Sequence, residues 1–559
     1  MKKGEIGQGV IGDTSFPDRG YIEREDGKVL IKHAIPGREV EYRILKRRGE
    51  RGEGRVLRLL KPSPLETAAH PCLHSGICGG CLYQTLPYPE QLKLKERQLV
   101  ELLHTAAGQT FQWDGMLGSP EPEHYRLKME YSFGDAYRDG PLALGMHRRE
   151  SHYDIVTTDR CQLVHEDFNL ILRETLRIFT EAQIPFFHKL RHSGYLRHLL
   201  VRRGTHSGEM LVDLVTVSEG AYTAPEGQEG RAINFSLLLT QWKDAILKLP
   251  LQSELKGILH TVNDSPADAV INQGTEVLYG QEYFEETLSG LRFKITPFSF
   301  FQNNADGAEL LYRKVADYVG DTGGKTVFDL YSGTGTIAQL VAKTASHTVG
   351  VELIEEAVIA ARENAERNGI TNCSFIAGDV LKVLDELREK PDVIILDPPR
   401  EGVNPKALSK LVRYRVPRMI YVSCKPSSLL RDLEILREGG YQLTRAVGVD
   451  MFPQTPNVET VALLSKLDVD KHISVEIELD ELDLTSAESK ATYAQIKEYV
   501  WNKFGLKVPT LYIAQIKKKC GIKLREHYNK SKKEKQVIPQ CTPEKEEAIM
   551  DALRHFKMI

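Results

Sequence analysis

The sequence predicts an α/β protein built on an open, doubly wound parallel sheet. Three features of residues 327–397 point to it. A short apolar strand runs into a glycine turn and then a helix in VFDLYSGTGTIAQLVA (327–342). Further strand–helix alternations follow, with strands at 348–352, 374–379 and 393–397. Those three strands end in acids, Glu352, Asp379 and Asp397. Alternating strand and helix patterns of this length imply βα units around a parallel sheet.

The 559-residue chain carries further segments on either side of this sheet. Residues 1–62 alternate apolar and polar positions around Asp26-Gly27 and Pro36-Gly37, which predicts a small all-β barrel whose edge, KRRGERGEGRVLR (46–58), is basic. Residues 63–295 form a mixed α/β central domain. It starts with cysteine-bearing loops to about residue 90, then a helix over 91–103 and strands such as 125–133 and 196–204. The pairs Arg148-Arg149, Arg191-His192 and Arg202-Arg203 are candidates to face a polyanion. The parallel sheet occupies 296–466. Residues 467–559 change character, from the acidic run at 473–482 to short amphipathic helices over 491–505, 510–519 and 543–556, and form an appended helical module.

Composition sets outer limits. Lys and Arg number 74 against 77 Asp and Glu, a net charge of −3, so any nucleic-acid affinity must come from local basic surface. No apolar run approaches membrane-spanning length and MKKGEIG has no signal-peptide core, so the expected setting is cytoplasmic, and the chain is expected to be a monomer. With no mark of an oxidising compartment, disulfides are not expected.

The chemistry follows from the glycine turn and two later residues. Gly333 and Gly335 let the backbone approach a ligand, and Glu352, about 20 residues past the strand, is placed for ribose hydroxyls. The turn reads SGTGT rather than GxGxxG, and the strand-end acids suit a nucleoside better than a pyrophosphate, which favours S-adenosylmethionine over NAD. Cys424 follows an apolar strand in YVSCKP, and Glu459 opens another in NVETVALL. A thiolate added to C6 of a uracil turns C5 into a nucleophile able to take a methyl group, and a base must then remove the C5 proton. Cys424 fits the nucleophile and Glu459 the base. The fourth strand ends DPPR (397–400), without the Pro-Cys of cytosine-5 enzymes or the NPPY of adenine-N6 enzymes, so uracil is favoured.

The segments FSFFQNN (298–304), DLYSGTGT (329–336), GVE (350–352), DPPREG (397–402), SCKP (423–426) and VETVALL (458–464) resemble the RNA uracil-5-methyltransferase family. The resemblance implies a Rossmann-like class I methyltransferase domain. It also implies that Gln302, Tyr331, Glu352 and Asp397 line the donor site, with Cys424 as nucleophile and Glu459 as proton acceptor. Two positions depart from the family's usual residues: Lys425 stands for Asn and Asn457 for His. The N-terminal barrel looks like a TRAM domain, an OB-like RNA-binding barrel. This architecture resembles the ribosomal RNA branch, which implies 23S ribosomal RNA as substrate. The alternatives are transfer RNA, an RNA cytosine-5 activity, or a non-catalytic RNA-binding protein.

Cys72, Cys78 and Cys81 lie close together and Cys161 far off. Three near ligands and one distant one are more typical of a 4Fe-4S cluster than of the paired cysteines of a zinc site, and one branch of the family carries a cluster on this pattern. Zinc and reduced thiols are the other readings. His70 and His74 are expected as solvated loop residues, and Cys373, Cys520 and Cys541 as ordinary thiols.

Overall fold

The computed structural model describes residues 1–108, 110–225, 233–267, 269–387, 389–466, 493–506, 508–520 and 543–556. The chain divides into two compact units, Met1–Asp468 and Val469–Ile559.

The first unit opens with a six-stranded sheet ordered Ile6–Val10, Glu39–Arg48, Arg51–Lys61, Gly27–Ile31, Arg19–Arg24 and Thr14–Ser15. Arg19–Arg24 and Gly27–Ile31 form the hairpin expected around Asp26-Gly27. Gly27 has φ +127°, and a Cβ there would meet the Glu50 carbonyl oxygen at 1.9 Å, so only glycine fits. Ile22, Val29, Ile31, Val40, Tyr42 and Ile44 fill the core. Lys46, Arg47, Arg48, Arg51, Arg55 and Arg58 are exposed along the two long strands.

A seven-stranded sheet follows, ordered Ile155–Thr157, Leu142–His147, Lys128–Asp135, Leu196–Arg203, Glu209–Thr216, Glu254–Val262 and Thr275–Gly280. Helices Glu166–Glu181 and Phe235–Ile246 pack on it around Tyr131, Phe168, Phe179, Val201, Val212 and Trp242.

The third large sheet has eight strands in the order Cys373–Ala377, His347–Glu352, Thr326–Leu330, Val393–Leu396, Arg418–Ser423, Glu459–Lys466, Tyr441–Val449 and Gln112–Leu117. The first five are parallel, as the βα alternation implies, and Glu459–Lys466 runs antiparallel between two neighbours. The last strand, Gln112–Leu117, comes from the span read as the central domain and pairs in parallel with Tyr441–Val449. Helix Tyr88–Ala107 brings it there, burying Leu99 and Leu103 in the core that also holds Leu429, Leu436 and Tyr441. Sheet pairing across more than 300 residues leaves no local pattern in the sequence.

In the second unit, helices Tyr493–Phe504, Thr510–Lys519 and Pro543–His555 enclose Ile496, Val500, Ile513, Ile516, Ile549 and Leu553. The acidic run at 473–482 and Cys541 lie outside the described residues. Among the described residues no helix is long and apolar enough to cross a membrane.

Candidate active site

The C-terminal ends of the parallel strands converge on the glycine turn. Tyr331, Gly333 and Gly335 all have left-handed backbones, with φ of 68°, 53° and 76°. The amides of Tyr331 and Ser332 donate to the Val351 carbonyl at 2.8 and 3.0 Å, while the Gly333 amide donates to Glu352 Oε2 at 3.0 Å. A Cβ on Gly335 would lie 2.5 Å from the Phe375 ring, so the turn is closed to larger residues by space as well as by φ. Asp329, at the end of the first strand, was not singled out from sequence. It is fully buried, accepts from the Ala338 amide at 2.9 Å at the start of the next helix, and burial pushes it up to about 8. The rule that drew attention to the other strand-end acids reaches Asp329 too.

The six side chains named from separate motifs, Gln302, Tyr331, Glu352, Asp397, Cys424 and Glu459, line one cavity of about 1050 Å³. Phe300, Leu353, Ile354, Arg400 and Phe452 complete much of its wall. Such a volume is at the upper end for one small ligand, and leaves room for a second group.

Register explains how Cys424 meets Glu459. Ser423 lies opposite Thr460 in the antiparallel pair, so one further step brings Cys424 beside Glu459. Asp397 ends the neighbouring strand, with its amide bound to the Leu330 carbonyl at 3.2 Å. Burial pushes Asp397 up to about 7. Burial and the nearby Asp397 push Glu459 up to about 8, opposed by Arg400. Burial, with both carboxyls nearby, pushes the Cys424 thiol up to about 11, again against Arg400. Three acids thus share a site beside Arg400, an arrangement in which Glu459 resists ionising while Asp397 is charged, and Cys424 while either carboxyl is.

Two of the basic residues proposed to face a polyanion turn inward. Arg202 is 3 % exposed and donates to the carbonyls of Thr296, Pro297 and Ser299 at 2.6, 3.3 and 2.7 Å. It thereby holds the segment that leads into Phe300 and Gln302. Arg149 donates to the carbonyls of Cys78 and Cys81. A charge pair in sequence cannot announce that carbonyls without partners will be gathered around it.

Cys72, Cys78, Cys81 and Cys161 line a second cavity, all as free thiols. Burial pushes Cys81 up to about 12 and Cys161 up to about 11, and neighbouring thiols add to both. The Gly80 amide donates to Cys78 Sγ at 3.4 Å and Gln84 Nε2 to Cys81 Sγ at 3.7 Å. Among the described residues no three His, Cys, Asp or Glu side chains converge as a single-ion site. His74, expected in solvent, lines this cavity with its side chain 16 % exposed and 3.6 Å from Asp159.

Residues 241–467 match the sequence model of the tRNA (Uracil-5-)-methyltransferase family. A protein of Clostridium acetobutylicum described as an uncharacterized RNA methyltransferase is 46 % identical over 467 residues, covering 83 % of this chain and 99 % of its own length. A relative from Halalkalibacterium halodurans with the same description is 32 % identical, over 83 % of this chain and 98 % of its own. Among solved structures, the Pyrococcus abyssi tRNA (uracil-54, C5)-methyltransferase in complex with S-adenosyl-L-homocysteine is 26 % identical, with a TM-score of 0.61 over 82 % of this chain and all of that one. With relatives this similar matched over nearly their full length, the chain belongs to the RNA uracil-5-methyltransferase family and is an RNA methyltransferase.

Proposed function

We propose that this enzyme methylates C5 of uridine in a structured RNA, with S-adenosylmethionine as methyl donor. The observation that carries the reading is the placement of Cys424 beside Glu459 in the cavity that also holds Gln302, Tyr331, Glu352 and Asp397. Glu352, already accepting the Gly333 and Ile354 amides, has its carboxylate fixed for ribose hydroxyls. The Cys424 thiolate adds to C6 of a uridine swung out of its stack. C5 attacks the donor methyl, releasing S-adenosylhomocysteine. Glu459 takes the C5 proton, the C5–C6 double bond re-forms, and the thiolate leaves. Arg400 opposes the build-up of negative charge on the two acidic groups.

Burial keeps the Cys424 thiol and the Glu459 carboxyl largely protonated at neutral pH, while Asp397, near 7, is about half ionised, and the sulfonium of the donor would supply a positive charge that favours the ionised forms. Glu459, near 8, exists as base in a minority at pH 7. The rate of adduct breakdown in single turnovers should therefore rise by about twentyfold between about pH 6.5 and about pH 8.5. A flat profile would count against Glu459 as the group that removes the proton.

Ribosomal RNA is the substrate class we assign, and 23S ribosomal RNA in particular. The six-stranded N-terminal sheet acts as a TRAM-like RNA-binding module through its exposed lysines and arginines. Transfer RNA is the second reading, favoured by the Pyrococcus enzyme, whose name specifies transfer RNA and whose whole length is matched here. Mapping 5-methyluridine in both RNAs from cells with and without this gene separates the two.

The four cysteines are proposed to hold a 4Fe-4S cluster. Sulfurs arranged around a cavity, with amide donors directed at two of them, suit a multi-atom cluster better than one ion. When bound, the cluster would tie the cysteine loops together, and methyl transfer draws no electrons from it.

The helical module 467–559 is proposed to raise RNA affinity without choosing the base. Deleting it should weaken binding and flatten its salt dependence while the modified uridine stays the same. Methylation mapped with the truncated enzyme at a new uridine would show instead that the module selects the target.

A further inference from the structure

The segment between strand Tyr441–Val449 and Glu459 has no regular structure, yet Asp450, Met451, Gln454, Thr455 and Val458 are buried. A buried loop must find partners for its polar groups, and here they come from distant parts of the chain. Lys95 Nζ donates to Asp450 Oδ1 at 2.7 Å and to the Phe452 carbonyl at 3.2 Å. Gln91 and Gln454 clasp reciprocally. Gln91 Nε2 donates to Gln454 Oε1 at 2.9 Å, and the Gln454 amide donates to Gln91 Oε1 at 2.9 Å. The Tyr125 hydroxyl donates to the Pro453 carbonyl at 3.0 Å.

Two more bonds reach the cysteine cavity. The amides of Leu82 and Tyr83 both donate to the Gln454 carbonyl, at 2.9 and 3.0 Å. These residues directly follow Cys81, and Gln84 next to them bridges the Cys72 amide (3.2 Å) and Cys81 Sγ (3.7 Å). Gln454 is held with φ +68°, a conformation a non-glycine residue keeps only where its surroundings over-determine it. On the other side of this knot, Phe452 and Glu459 line the reaction cavity.

We propose that Gln91, Lys95 and the Leu82–Tyr83 amides are positioning groups for the loop that carries Phe452 and Glu459, so that the state of the cysteine cavity is transmitted through Gln454 to the proton-removing carboxyl. The proposal rests on the reading of Glu459 as base. It predicts that disturbing the cysteine loops slows the second half of the reaction while the loops themselves stay remote from the substrate.

The test uses full-length protein and two readouts. Hydrogen exchange of the amides in 450–458 should speed by about tenfold in Gln91→Leu, as expected for the loss of one or two buried hydrogen bonds, and likewise in Cys81→Ser. Exchange in strand His347–Glu352 should not change. The fraction of enzyme trapped as denaturation-resistant RNA adduct should rise in both variants, because addition and methyl transfer proceed while proton removal lags. Gln454→Gly, which accepts the left-handed backbone and removes the Oε1 half of the clasp, should do the same to a smaller extent if Gln91→Leu does not fold. Unchanged exchange and adduct level in Gln91→Leu or Gln454→Gly would overturn the positioning role, and unchanged values in Cys81→Ser alone would overturn the link to the cysteine cavity. Glu459→Gln is the reference: if it forms no adduct, the base assignment fails, and the exchange measurements still decide the positioning claim separately.

Discussion

Cys424→Ala should abolish methylation, by about 10⁴-fold or more, and should form no RNA adduct, because C5 gains nucleophilic character only when a thiolate adds at C6. Glu459→Gln should behave differently. The thiolate still adds and C5 still takes the methyl, but the C5 proton then has no acceptor. The double bond cannot re-form, and the RNA stays attached to the protein. Labelled RNA carried with the protein through a denaturing gel measures this, and digestion should place the link on Cys424. The side chain at 459 is buried in its ordinary state with a proton on it, so a neutral amide of the same shape is a mild structural change. Normal turnover by Glu459→Gln, or no adduct from it, would refute the assignment.

The second large effect concerns the cysteine cavity. Protein purified without oxygen should be brown and contain iron and acid-labile sulfide. Replacing Cys72, Cys78, Cys81 or Cys161 by Ser should remove the colour and destabilise the fold by several kcal/mol, on the order seen where metal binding supplies folding energy. The cavity joins loops 72–81 to Cys161, and little else on those loops is apolar enough to hold them: Leu73 and Ile77 are 68 % and 46 % exposed. Colourless protein with one equivalent of zinc would decide for a structural ion. Full stability in all four Ser variants would mean that the thiols bind nothing of structural weight.

Much of the catalytic sheet could be read from the chain because its signals are local. The run VFDLYSGTGT is a strand, a left-handed turn and a helix start within ten residues, and each step is dictated by φ preferences and apolar periodicity. Strand-end acids are likewise local, since a parallel strand must end at the face where ligands bind. The carbonyl-binding roles of Arg149 and Arg202 could not be read this way. Both sit in ordinary basic pairs, and the carbonyls that capture Arg202 belong to residues 296–299, almost a hundred positions away. The partly buried position of His74 has the same origin: its surroundings include Cys161 and Asp159, which only folding brings near.

By itself, then, the sequence determined the order of strands and helices around the glycine turn, the chemical types available at strand ends, and the three-plus-one pattern of cysteines, all of which depend on neighbours within a few residues. The tertiary structure decided what those groups do to one another. Antiparallel register set Cys424 beside Glu459, and burial of three acids in one cavity raised the proton affinity of each, with Arg400 opposing the shift at Cys424 and Glu459. Pairing between Gln112–Leu117 and Tyr441–Val449 drew a segment of the central span into the large parallel sheet, and with it the helix whose Gln91 and Lys95 hold the loop before Glu459. Desolvation and long-range hydrogen bonding depend on which distant residues meet, and that information exists only once the chain has folded.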